Sequence, residues 1–139
     1  MAYKSLKPRD AGGQTVQMRG GEFTEAGADT LTVDIDIPAG AIVTKVEVYP
    51  IAQWAAATSA TLTAGDASDA DGFIVATNMK TATVGTVIQG GKAAEAYDVP
   101  KHYAAAAVIT FKIVSVGAGA AGSAKAYVEY IDADWTAAA

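Results

Sequence analysis

From residue 29 to 37 the chain alternates without a break: Leu31, Val33, Ile35 and Ile37 fall on one side, while Thr30, Thr32, Asp34 and Asp36 fall on the other. A period of two places successive side chains on opposite faces of an extended chain, so the segment predicts a strand with one oily and one wet face. The same rhythm returns late in the chain. Ile109, Phe111 and Ile113 alternate with Thr110 and Lys112, and after a glycine-rich turn at 117–123, Ala126, Val128 and Tyr130 alternate with Lys125, Tyr127 and Glu129.

Weaker signals fill the interval. Pro38-Ala39-Gly40-Ala41 has a tight-turn composition, and Ile42, Val46 and Val48 can face one core while Lys45 and Glu47 face water. This predicts a hairpin with the preceding strand, ended by Pro50, which lacks a ladder donor. Residues 59–64 and 73–76 flank a polar loop at 66–72, and residues 83–88 are rich in β-branched side chains before Gly90-Gly91. Val99-Pro100 marks another turn, and a helix is conceivable only around 92–97. The runs at 109–113 and 126–130 predict a closing hairpin. With residues 15–23 the count reaches about eight strands and no βαβ rhythm, which predicts an all-β, two-sheet antiparallel sandwich of jelly-roll-like type. Residues 1–14 carry no strand or helix period and are expected to form an extended N-terminal arm, leaving 15–139 as the sandwich domain.

Composition narrows the functions this sandwich can serve. No apolar run approaches the ~18 residues of a membrane span, so no membrane partner is expected. No apolar block follows Lys4, Lys7 and Arg9, so the N-terminus does not read as a secretory signal, and synthesis and folding in a host cytoplasm are expected. There is no cysteine, hence no disulfide, thiolate nucleophile or cysteine-based metal site. The net charge of −5 opposes binding to a phosphate backbone, and three cations on one arm do not reverse it. No nucleic-acid partner is therefore expected.

Chemistry-bearing residues are sparse. His102 is the only histidine, and none of Ser5, Ser59, Ser68, Ser115 or Ser123 lies in a nucleophile-elbow context, so no catalytic triad is predicted. One imidazole cannot supply the usual ligands of a zinc site. Asp66, Asp69 and Asp71 with Gly72 suggest a hard-cation loop, but the spacing fails that of an EF-hand, because Ala67 and Asn78 would stand at its first and last ligand positions. The favoured reading is a loop whose aspartates cap their own backbone. Asp34 and Asp36 read as solubilising groups on a wet face rather than a glycosidase pair, and the Gly12-Gly13, Gly20-Gly21 and Gly90-Gly91 pairs as turns and bulges rather than phosphate loops. No catalytic residue, metal or cofactor is assigned. Among the aromatics, Trp54, between Pro50 and an alanine run, and Trp135, beyond the last strand, are expected to meet a partner, with protein favoured over sugar.

The segments 31–44 (Leu-Thr-Val-Asp-Ile-Asp-Ile-Pro-Ala-Gly-Ala-Ile-Val-Thr), 59–66 (Ser-Ala-Thr-Leu-Thr-Ala-Gly-Asp), 71–73 (Asp-Gly-Phe), 106–113 (Ala-Ala-Val-Ile-Thr-Phe-Lys-Ile) and 122–131 (Gly-Ser-Ala-Lys-Ala-Tyr-Val-Glu-Tyr-Ile) together resemble small structural proteins of tailed bacteriophages, in particular capsid decoration or cement proteins. The resemblance covers most of 15–131. It implies a jelly-roll-like homo-oligomer, a trimer, on the outside of the virion, bridging neighbouring copies of the major capsid protein without catalysis. An arm carrying Tyr3, Leu6 and Pro8 would then lie along an adjacent subunit. The alternative is another virion role, as a head fibre, tail component or receptor-facing module whose aromatics contact a host-surface glycan.

Overall fold

The computed structural model describes residues 16–132, apart from 26, 28, 29, 57, 93, 94, 118 and 120. The expected arm at 1–14, with Tyr3, Leu6 and Pro8, and Trp135 at the other end lie outside the described residues. Within them the chain is all-β. Its strands are β1 (Val16–Thr24), β2 (Thr30–Ile37), β3 (Ile42–Ala52), β4 (Ser59–Gly65), β5 (Ile74–Asn78), β6 (Ile88–Gln89), β7 (Lys101–His102), β8 (Ala107–Val116) and β9 (Ser123–Ile131). One sheet runs β1-β9-β3-β6, with β7 also on β3, and the other runs β2-β8-β4-β5. Every pairing is antiparallel.

The two strongest alternating runs behave as their pattern dictates. In β8, Ile109, Phe111, Ile113 and Ser115 point inward and are buried, and β2 lies beside it in register, Ile35 against Ile109 and Val33 against Phe111. In β9, Ala124, Ala126, Val128 and Tyr130 are buried in turn. The core between the sheets is completed by Phe23, Val43, Val46, Val48, Leu62 and Phe73. Burial of these side chains is the main stabilising contribution, roughly 1.5–3 kcal/mol for each fully buried large one.

The two expected hairpins do not form. β2 and β3 belong to different sheets, as do β8 and β9, so after β2 and again after β8 the chain passes from one layer to the other instead of folding back within one sheet. Alternation fixes which face of a strand is buried and is silent about its neighbour. Here Ile37 and Val43 both turn inward from opposite layers, at 1% and 0% exposure. The arch at 38–41 closes through the Ala41 N–H on the Pro38 carbonyl and a left-handed Gly40 (φ 85°), and is pinned by the Gly40 N–H on Tyr103 O and the Tyr103 N–H on Ala41 O. β4 and β5 do form a hairpin, around the loop at 66–72.

β3 also departs from its expected register. An irregularity between Val43 and Lys45 shifts the inward parity, so Val43 is fully buried while Ile42 is half-exposed. Thr44 bridges it, its hydroxyl donating to Glu129 O and Oε1 at 3.2 and 3.0 Å. Glu47 is not a water-facing residue: it stands opposite Tyr127 of β9, is only 9% exposed, and takes that phenol's hydrogen bond. Pro50 does not end the strand, because a second irregularity between Pro50 and Ala52 absorbs the missing donor. Of residues 83–88 only Ile88 enters a strand, and 83–86 is a turn closed by the Thr86 N–H on Thr83 O. At 92–97 the described residues, Lys92 and 95–97, are not helical, and the Lys92 N–H donates to the Glu95 carboxylate and the Glu95 N–H to Lys92 O. So short a segment cannot repay helix nucleation.

Leu62 is fully buried on β4, between β5 and β8. Leu62→Ala is expected to lower unfolding free energy by about 2–5 kcal/mol, the range for an imperfectly collapsing core cavity. A urea titration checks this, with the midpoint falling and the slope unchanged.

Candidate functional site

Two buried or half-buried carboxylates organise the polar interior. Asp66 follows the last residue of β4, where the chain must leave the sheet. Its Oδ1 accepts the N–H groups of Ser68 and Asp69 at 3.0 and 3.1 Å, the self-capping expected of this loop. The same carboxylate also receives two phenols from distant segments: Tyr97 Oη donates to Oδ1 at 2.9 Å and Tyr103 Oη to Oδ2 at 2.8 Å. Burial alone would raise this carboxyl, but the tyrosine and backbone donors outweigh it and hold Asp66 below the ordinary aspartate value. Burial, and then the Asp66 carboxylate, push Tyr97 up to about 12 and Tyr103 higher still.

The rings around Asp66 are closely placed. Tyr97 packs edge-on to Phe73, with centroids 5.1 Å apart, and lies so near Gly72 that a Cβ there would sit 2.5 Å from the ring. Lys101 Nζ stands 4.2 Å from the Tyr97 centroid and 5.1 Å from that of Tyr103. One carboxylate thus ties the 66–72 loop to the 92–100 segment and to the end of β7. With four donors on its two oxygens, Asp66 is committed to this lock and is not poised as a base. Among the described residues no three His, Cys, Asp or Glu side chains gather as a metal site requires.

The second lock corrects the expectation for Trp54. This ring is buried, 2% exposed, rather than displayed to a partner. Its indole N–H donates to Glu25 Oε2 at 3.2 Å, Ser115 Oγ donates to the same oxygen at 3.2 Å, and the Gly27 N–H reaches Oε1 at 2.7 Å. Gly122 (φ 146°) lies directly over the indole, where a Cβ would fall 2.6 Å from a ring carbon. Glu25 is itself 4% exposed, so the arrangement fastens the end of β1 to the 52–58 connection, β8 and the arch before β9.

The other sequence candidates are scattered. His102 is exposed on β7, opposite Ile42, and Ser115 is spent on Glu25, so no triad assembles from these residues. Asp34 and Asp36 lie on the outer face of β2, where Asp34 accepts a 2.7 Å hydrogen bond from Thr110. Sequence reasoning missed both the Glu25 and the Asp66 locks. Their only signal was an acidic residue set where a strand ends, a placement a solvated loop shares.

The outer faces differ in character. On the β1-β9-β3 sheet, register sets Glu22 beside Lys125 and Glu129 beside Lys45, with the exposed apolar side chains of Val16 and Met18 on β1 and Tyr49 and Ile51 on β3. On the β2-β8-β4 sheet the outward positions are Thr30, Thr32, Asp34 and Asp36, then Val108, Thr110, Lys112, Val114 and Val116, then Ser59, Thr61 and Thr63. Val108 and Val116 are 42% and 52% exposed there. At one end of this sheet opens a groove of about 840 Å³, whose lining includes Pro38, Ala106, Ala107, Val108, Tyr130 and Asp132.

Fold and interior together define a two-layer antiparallel sandwich braced by two carboxylate locks. Chains of this fold occur in solved phage capsids. The chain is similar to one in the acidic stable capsid structure of Helicobacter pylori bacteriophage KHP30, at 12% identity over 85% of this chain and 89% of that one, with a TM-score of 0.63. It is also similar to a chain of the cyanophage Pam1 capsid asymmetric unit (23% identity, 93% of each chain, TM-score 0.58) and to one of the Ralstonia phage GP4 capsid (16% identity, 93% and 90%, TM-score 0.56). No family model and no curated protein matches the sequence.

Two outcomes are expected of the locks. Because the folded Asp66 carboxyl is held below its ordinary value, its stabilisation is present above about pH 4 and is lost as pH falls through the folded value. Asp66→Asn should therefore cost about 1–3 kcal/mol at pH 7, the range for a hydrogen-bonded charged group, and the gap to the native chain should narrow below pH 4. Denaturation midpoints across pH measure this. Glu25→Ala strands the Trp54 and Ser115 donors and should cost about 1–3 kcal/mol for each, with loss of the near-ultraviolet dichroism of the Trp54 ring.

Proposed function

We propose that this chain is a non-enzymatic structural protein of a phage virion, which binds the outer surface of the assembled capsid and stabilises it by bridging major capsid subunits. The observation that carries the reading is the near-complete mutual coverage with three capsid chains: each neighbour is matched over about nine-tenths of its own length. The likeness is therefore to whole chains of this size within capsids, not to one domain of a larger shell protein.

The surfaces fit that role. The threonine- and valine-rich face of the β2-β8-β4 sheet carries few charges to desolvate, and its β-branched side chains are already restricted at χ1. It is the face assigned to the capsid, while the arm at 1–14, with Tyr3, Leu6 and Pro8, reaches an adjacent subunit of a homotrimer. The glycan-binding alternative loses its main aromatic, since Trp54 is inside the core.

Purified chain added to expanded heads lacking it is expected to bind at saturable stoichiometry and to raise the temperature at which the heads rupture. A chain that stays monomeric and leaves heads unaltered refutes the proposal. Thr61→Lys and Val116→Lys, both outward on this face, should each weaken head binding about tenfold or more, as expected for an unpaired charge within an interface, without altering the fold.

A further inference from the structure

The loop at 66–72 sets the single Asp-Gly step of the chain, Asp71-Gly72, against the Asp66 lock. Packing imposes that glycine. Gly72 is buried while Asp71 is exposed, and any Cβ on residue 72 would sit 2.5 Å from Cδ2 and Cε2 of Tyr97. The ring has no room to retreat, since its hydroxyl is bonded to Asp66 and it packs edge-on to Phe73. The fold therefore requires at this position the one residue that leaves its own nitrogen unshielded toward the carboxyl before it.

Such a pair reacts with itself. The Gly72 nitrogen attacks Cγ of the protonated Asp71 carboxyl, an N–Cγ bond forms, and the carboxyl hydroxyl leaves with the amide proton as one water. A water then opens the five-membered imide. Addition at Cγ restores aspartate, whereas addition at the Asp71 main-chain carbonyl leaves the backbone running through the side chain, as isoaspartate. Hydrogen bonding to the Asp71 carboxyl raises Asp69 above the ordinary aspartate value, which keeps a proton beside the reacting group.

The folded loop restrains every part of this step. The Gly72 N–H donates to Asp69 O at 3.2 Å, the Asp71 N–H to Asp69 Oδ1 at 3.4 Å, and the Gly72 carbonyl takes the Tyr97 N–H at 2.8 Å. Attack needs the first of these broken and the peptide plane turned, a movement that Tyr97 blocks for as long as Asp66 holds its hydroxyl. We propose that Asp71-Gly72 is a site of spontaneous conversion to isoaspartate, restrained by the Asp66 lock. Conversion in turn unties the lock. One extra backbone carbon between residues 71 and 72 displaces either Gly72 from the Tyr97 ring or the Phe73 N–H from Ala64 O, now 2.9 Å apart. The rate follows the population of the open loop.

Peptide mapping of the full chain after prolonged warm incubation at neutral pH, with isoaspartate read by mass-spectrometric fragmentation, tests this. Isoaspartate is expected to accumulate slowly at residue 71 and several-fold faster in Tyr97→Phe, which keeps the ring and removes the donor to Asp66. Asp71→Glu, whose ring closure would need six members, should form none at 71. Glu25→Ala supplies the control for general loosening, because its lock involves Ser115, at the end of the β4–β8 pairing opposite Gly65. It should leave the rate at 71 unchanged. The converted fraction, separated by ion exchange, should unfold at a lower urea concentration than the unconverted one. Equal rates in the native chain and Tyr97→Phe overturn the proposal. So does an acceleration by Glu25→Ala that matches that of Tyr97→Phe, or a converted fraction with an unaltered midpoint.

Discussion

Everything in this molecule follows from one requirement: each alternating strand has an oily face, and the two sheets must present those faces to each other. The connections obey that requirement before they obey local turn preference. Pro38-Ala39-Gly40-Ala41 has the composition of a hairpin turn, but β2 and β3 gain more by turning Ile37 and Val43 toward a shared interior from opposite layers. The same holds between β8 and β9. Apart from the β4–β5 hairpin, nearest neighbours within each sheet are consequently distant in sequence, as with β1 beside β9 and β2 beside β8. Such pairing bears a larger loop-closure cost and is intrinsically slow to form.

A sandwich whose chain repeatedly crosses between layers exposes its connections at the ends, and there the two carboxylate locks act. Glu25 gathers an indole, a serine hydroxyl and a backbone N–H, while Asp66 gathers two phenols and two backbone N–H groups. A buried carboxylate with a full set of donors is stabilising in context and costly when any one donor is lost, so each lock specifies a single arrangement of the loops it joins. In a chain with no cysteine, these locks perform the tying function that a disulfide performs in other small domains.

The layers, the buried positions of β2, β8 and β9, and the self-capping of the 66–72 loop were legible in the sequence because each is a local property, either a period of two or an aspartate beside its own backbone. What was hidden was relational. The identity of a strand's neighbour, the irregularity between Val43 and Lys45 that exchanges Ile42 for Val43 in the core, and the convergence of Tyr97 and Tyr103 on Asp66 from 31 and 37 residues away all depend on tertiary pairing. Trp54 shows the limit most clearly. An indole next to a proline and an alanine run reads as a displayed anchor until the acceptor for its N–H is known, and that acceptor lies 29 residues earlier.

The interior and the outer faces of this sandwich use their side chains differently. The buried polar groups named above are consumed in holding loops, and within the described residues every buried side-chain nitrogen and oxygen has a partner. Nothing in the two locks is left over to donate or accept a proton during a reaction without loosening the structure. The outer face of the β2-β8-β4 sheet, by contrast, places stiff, short threonine and valine side chains on a rigid backbone, where association freezes little and buries much. A weak contact of that kind becomes effective when repeated over a lattice of identical sites, because each added copy engages at the effective concentration set by its neighbours.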